Sequence, residues 1–172
     1  MVSDIRITNT GSLIELQRRL RAAGHENIRA SMQRRLRHAA EPLRDELQSA
    51  IRGLDISSQG RRGRGGGPSP TTRPLRATIA EAIRISVRTA GNPGARVWLD
   101  KGRLPADLKT GRSDMATALN KGRVRHPVYG NRRRWVQQNA TPLWWDNTVR
   151  KGRPRMEREA ARILDDVRRR LE

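Results

Sequence analysis

The chain has 172 residues, enough for one domain with a single core, and it sets 37 Lys plus Arg against 17 Asp plus Glu for a formal net charge of +20. Hydrophobic residues make up 34%, and both phenylalanine and cysteine are absent, which excludes disulfides and thiolate metal sites and leaves aliphatic side chains to build a modest core. No apolar run approaches the roughly 20 residues of a membrane span, and a field this positive calls for an acidic partner: nucleic acid, acidic protein or an anionic surface.

The N-terminal stretch places Asp4 and Arg6 among short apolar steps, so no secretory leader is expected there. Ile5 and Ile7 alternate with polar neighbours over Asp4 to Thr8, a short strand. A helix should follow, because Ser12 and Glu15 have capping-box spacing, Leu13, Leu16 and Leu20 form a stripe, and Gly24 stops it. From Asn27 onward Ile28, Met32, Leu36, Ala39, Leu43, Leu47, Ile51 and Leu54 recur every three or four residues, which predicts a long amphipathic helix. Pro42 sits inside it and predicts a kink near Ala39 to Glu41.

Between Ser57 and Pro74 the pattern gives way to Gly, Arg, Ser, Pro and Thr, the composition of a long mobile loop. Ile83, Ile85 and Val87 then alternate with Arg84, Ser86 and Arg88. Turn residues from Gly91 to Gly94 and a second alternation through Val97 and Leu99 complete a β-hairpin with one buried face. Lys101 to Arg112 reads as a loop, and Ser113 or Asp114 can cap a short helix through Met115, Ala118 and Leu119 that Gly122 ends. Strands around Val128 and Val136, with Gly130 and Asn131 as the turn, are expected to return to the sheet. Pro142 suits a helix start, Gly152 an interruption, and Pro154 a restart ahead of the stripe Met156, Ala160, Ile163, Val167 and Leu171. Helix, small antiparallel sheet and helix make one α+β domain spanning residues 1–172.

The residues hold no constellation of acid, base, nucleophile and metal ligand, so neither an enzyme nor a cofactor is expected. His25 and His38 fall on or near an arginine-rich helix, and His126 precedes Pro127 with no carboxylate motif beside it. Gly63 to Gly67 lacks the Gly-Lys-Ser/Thr ending of a phosphate loop, yet with Arg61, Arg62 and Arg64 it is similar to Arg-Gly segments that contact phosphate backbones. Lys101 to Arg155 is the densest basic region: fourteen Lys or Arg against Asp107, Asp114 and Asp146, a local charge of +11, with four of the five aromatic residues. Arg132, Arg133 and Arg134 are its candidates for DNA or an acidic protein partner. Trp135, Trp144, Trp145, Met156 and Ile163 are candidates for contacts between subunits; the competing arrangement places the Trp144 and Trp145 indoles inside the subunit.

The run Lys121, Gly122, Arg123, Val124, Arg125, His126, Pro127, Val128, Tyr129, Gly130, Asn131, followed by Trp135 and by Pro142, Leu143, Trp144 and Trp145 before a final helix, resembles the tail-completion, or neck, family of siphovirus-type long-tailed bacteriophages. The likeness extends over roughly residues 12–170. It implies a long N-terminal helix, a variable glycine-rich loop, a small antiparallel sheet, a His-Pro turn, a Pro-plus-aromatic lead into the last helix, and no catalytic residues. It further implies a virion protein, assembled in the host cytoplasm and away from membrane, that forms a ring between the capsid connector and the tail tube through which DNA passes. Its expected partners are copies of itself in a six-fold ring, other neck proteins, the tail tube or tail terminator, and packaged DNA. The alternative from charge alone is a stand-alone basic DNA-binding protein of nucleoid or regulatory type.

Overall fold

The computed structural model describes residues 5–6, 26–58, 74–90, 93–110, 113–128 and 131–169. The expected first helix over Ser12 to Gly24, and the Gly/Arg-rich segment with Arg61, Arg62 and Arg64, lie outside the described residues. Strand β1 (Ile5–Arg6) is followed by helix α1 (Glu26–Arg52), strand β2 (Ile56–Ser58), helix α2 (Leu75–Glu81) and strands β3 (Ile83–Arg88) and β4 (Gly94–Leu99). Two 3-10 turns, Lys101–Arg103 and Ala106–Leu108, lead to β5 (Lys109–Thr110), β6 (Ser113–Asp114) and helix α3 (Met115–Asn120). Strands β7 (Arg123–Val128) and β8 (Asn131–Ala140) and helix α4 (Trp144–Arg169) complete an α+β fold.

In α1 the stripe does what its period requires: Met32, Leu36, Leu43, Leu47 and Ile51 are all within 1% of full burial. Ala40 is buried as well, while Ala39 is only half-buried beside the core. The helix continues through Pro42, whose ring removes the N–H that would otherwise donate to the His38 carbonyl. Helix α4 packs antiparallel on α1 and supplies Met156, Ala160, Ile163 and Val167 to the same core. Arg35 Nη2 donates to Asp166 Oδ2 at 2.6 Å across the pair, and this contact, with help from Arg169, holds the Asp166 carboxyl below its usual range.

One expectation about the helices is corrected, and one helix is added. Gly152 and Pro154 do not divide the last helix, which runs unbroken from Trp144 to Arg169, because packing on α1 outweighs the local punctuation. Helix α2, with Pro74 at its N-cap and Ile79 and Ala80 buried, occupies residues to which the sequence pattern assigned no element.

The sheet expectation is also corrected: the described strands form two three-stranded sheets and a separate pair rather than one sheet. β3 and β4 pair antiparallel as expected, Ile83 opposite Leu99 and Ile85 opposite Val97, with β1 on the far side of β4. β7 and β8 do not return to that sheet. They form a second one in the order β2-β8-β7, in which Ile56 stands opposite Ala140 and Ser58 opposite Gln138. Ser57 and Ser58, read as the start of the loop, are therefore strand residues. β5 and β6 form a separate two-stranded pair.

Candidate nucleic-acid interface

The second sheet is anchored at its base by two residues that the chain places just before it. Asn120 is buried; its Nδ2 donates to Asp146 Oδ2 at 2.6 Å, and its Oδ1 accepts from the Trp145 N–H at 2.9 Å. Its carbonyl accepts from the Leu143 N–H, so one asparagine serves the free amides at the start of α4. Gly122 has φ +80°, and a Cβ there would stand 3.1 Å from Pro142 Cβ and 3.2 Å from the Ala140 carbonyl oxygen. Its own carbonyl accepts from the Ala140 N–H, joining the beginning of β7 to the end of β8.

From this base the strands alternate. Val124 and Ala140 are buried and Val136 half-buried, while Arg123, Arg125, Trp135 and Gln137 are exposed. Arg125 faces Gln137, and Pro127 faces Trp135, so Arg125 and Trp135 are diagonal neighbours across the pair. The Arg125 guanidinium carbon lies 5.1 Å from the Trp135 ring centroid, a cation–π contact on an indole that remains 48% exposed. Arg133, two residues before Trp135, is exposed too. Pro127 sits in the edge strand at a register shift, where a missing N–H does least harm.

The first sheet repeats the arrangement. Ala95, Val97 and Leu99 face the core, and Arg96 and Trp98 lie on the opposite side, opposite Ser86 and Arg84. Arg96 stacks its guanidinium 4.7 Å from the Trp98 centroid. No acidic residue occupies an outward position among the described strand residues of either sheet. Carboxylates cluster instead on the helices, where they pair with arginines: Arg44 with Asp45, Arg153 with Glu157, Arg162 with Glu159, Arg169 with Asp166. Positive charge is thus offset on the helices and concentrated on the strands.

Four of the residues expected at subunit contacts are elsewhere. Trp145 is fully buried, Trp144 is 5% exposed, and both sit with Met156 and Ile163 in the subunit's own core, since the helix they begin or extend is held against α1. The two indoles meet edge to face at 5.7 Å. Trp135 alone of the five is outside. Arg132, Arg133 and Arg134 open β8 at the far end of the sheet. His126 and Pro127 lie in strand β7, His126 opposite Val136, and not in the turn. His38 is exposed with Nδ1 2.8 Å from Glu41 Oε2.

The Arg84, Arg96 and Trp98 group was not singled out by motif, although the alternation of Arg84, Ser86 and Arg88 with isoleucine and valine already marked an arginine-bearing outer face. Among the described residues no group of three or more His, Cys, Asp or Glu could hold a metal ion, and no helix is long and apolar enough to cross a membrane. Set against protein-family models, curated proteins and solved structures, the chain finds no match in any of the three.

Proposed function

We propose that the chain is a structural, non-catalytic subunit of the head-to-tail junction of a long-tailed bacteriophage, assembling as a six-fold ring that helps join the tail tube to the capsid connector. The support for this reading is the sequence resemblance to the neck family, with which an α+β fold is compatible. The long helix α1 precedes a small antiparallel sheet, although His126–Pro127 lies in strand β7 of that sheet rather than in the turn that the resemblance implies. Pro142 and Leu143 then lead Trp144 and Trp145 into the final helix. With Trp144, Trp145, Met156 and Ile163 committed to the subunit core, the contacts between copies in such a ring fall on other surfaces.

The strands' acid-free outer positions favour a second reading, a stand-alone basic DNA-binding protein. Mass spectrometry and image averaging of purified particles of the encoding phage separate the two. A fixed low copy number and six-fold density at the neck are expected; absence of the chain from particles, or a monomer or dimer at the neck, sinks the virion reading.

A further inference from the structure

We infer that the outer part of the β7–β8 pair is an arm that docks duplex DNA through its sugar-phosphate backbone, without reading base sequence. Strand β2 pairs only with residues 138–140 of β8. Beyond Arg125 and Gln137, therefore, β7 and β8 continue as a two-stranded ribbon with no third strand among the described residues. Two antiparallel strands about 5 Å apart fit within a duplex major groove about 12 Å wide.

Charge selects the occupant. Between Asp114 and Asp146 the chain contains no acidic residue, and six Lys or Arg fall in that interval: Lys121, Arg123, Arg125, Arg132, Arg133 and Arg134. Arg125 and Arg133 are exposed on the ribbon, and Arg123 is exposed at its base. Like charges this close repel one another, and a row of phosphates relieves that repulsion while releasing counterions.

Two further observations narrow the polyanion. A protein partner would call for a broad apolar centre in the contact, whereas Trp135, opposite Pro127 and flanked on its own face by Arg133, Gln137 and Arg125, is the only exposed large apolar side chain described on the ribbon. A single strand would call for an open indole on which bases stack. Here the Arg125 guanidinium already lies over one face of the Trp135 ring at 5.1 Å, so a stacking base would have only the rest of a 48% exposed indole. The indole instead steadies the guanidinium, which reduces the rotamer freedom that Arg125 loses when it meets a phosphate. The ribbon carries this inference by itself, and it holds whether or not the chain is part of a virion.

The test measures binding of the full-length protein to a short labelled duplex of mixed sequence by fluorescence anisotropy, across a salt series. The doubly substituted Arg125→Gln/Arg133→Gln protein is compared with Arg155→Gln/Arg158→Gln, which removes the same charge from exposed positions on α4. Circular dichroism confirms that each is folded, and Arg123→Gln at the ribbon base serves if the first pair is not. The ribbon pair is expected to weaken binding about tenfold and to flatten the log–log salt slope by about 1.8, at about 0.9 per lost phosphate contact, with the α4 pair changing little. Equal losses from the two pairs would show a bulk-charge effect and overturn the proposal. So would tighter binding to single strands that Trp135→Ala abolishes, or binding of polyglutamate but not duplex.

Discussion

A Cβ on Gly152 would stand 2.7 Å from Leu43 Cδ1 and 3.0 Å from Glu46 Oε2, so the backbone of α4 runs directly against side chains of α1. Leu43 is buried and cannot swing away freely. Gly152→Ala therefore sets an overpacking cost of about 1 to 3 kcal/mol against a helix-propensity gain of about 1 kcal/mol. The expected net loss is about 1 kcal/mol in denaturant unfolding. In a Leu43→Val background, which lacks the clashing methyl, the same substitution should become neutral or stabilising. Additive effects in that double-mutant cycle would mean that the two residues do not press on each other.

The two kinds of tryptophan should behave oppositely. Trp145 is fully buried, and Trp145→Ala is expected to cost about 3 to 5 kcal/mol in the isolated subunit, enough to unfold a chain with a modest aliphatic core. Trp135 is 48% exposed, so Trp135→Ala should cost about 1 kcal/mol or less. Thermal unfolding of the two variants at low protein concentration checks the contrast. A stable Trp145→Ala monomer would return that indole to the surface.

Much of the fold was legible because its main signals are local. The α1 stripe from Met32 to Ile51 and the Ile83–Leu99 hairpin announce themselves by period, and Asp114 does cap α3. What was not legible depends on partners distant in sequence. Gly152 and Pro154 look like punctuation until α1 lies alongside, and Ile56–Ser58 becomes a strand only because Gln138–Ala140 is there to receive it. The candidate interface divides the same way. Its arginine density is plain in composition, but whether Trp135 faces the core or solvent is set by the register that pairs it with Pro127.

Asn120 is expected to matter more than a polar residue near a turn usually does. Asn120→Ala leaves the Trp145 N–H buried without its acceptor and frees Asp146, at a cost of about 2 to 3 kcal/mol. Asn120→Asp should retain part of the stability, because an aspartate oxygen still accepts from Trp145 although it faces Asp146 with like charge. Amide exchange at the first turn of α4 reports the result. Unchanged protection of Trp145 in Asn120→Ala would remove the asparagine from its linking role.

Asp114 gives the fold a defined acid sensitivity. Its carboxylate is buried, which by itself raises the pKa, but the Thr117 N–H donating to Oδ1 at 2.8 Å and the Lys101 ammonium together outweigh burial and hold it below the usual range. Lys101 Nζ approaches Oδ2 at 2.9 Å as an ion pair rather than an aligned hydrogen bond. A carboxyl depressed in the folded state stabilises it above the unfolded value of about 3.9, and that contribution disappears as pH falls through the lower folded value. Asp114→Asn retains an acceptor for Thr117 but loses the charge opposite Lys101. It should therefore be less stable than the parent by about 1 kcal/mol at neutral pH, with the gap closing as the pH drops below about 4. Paired urea titrations of both proteins from neutral pH to pH 2 isolate this residue, because the other carboxylates titrate in both. A gap that stays constant over that range would show that the charge on Asp114 contributes nothing to folding.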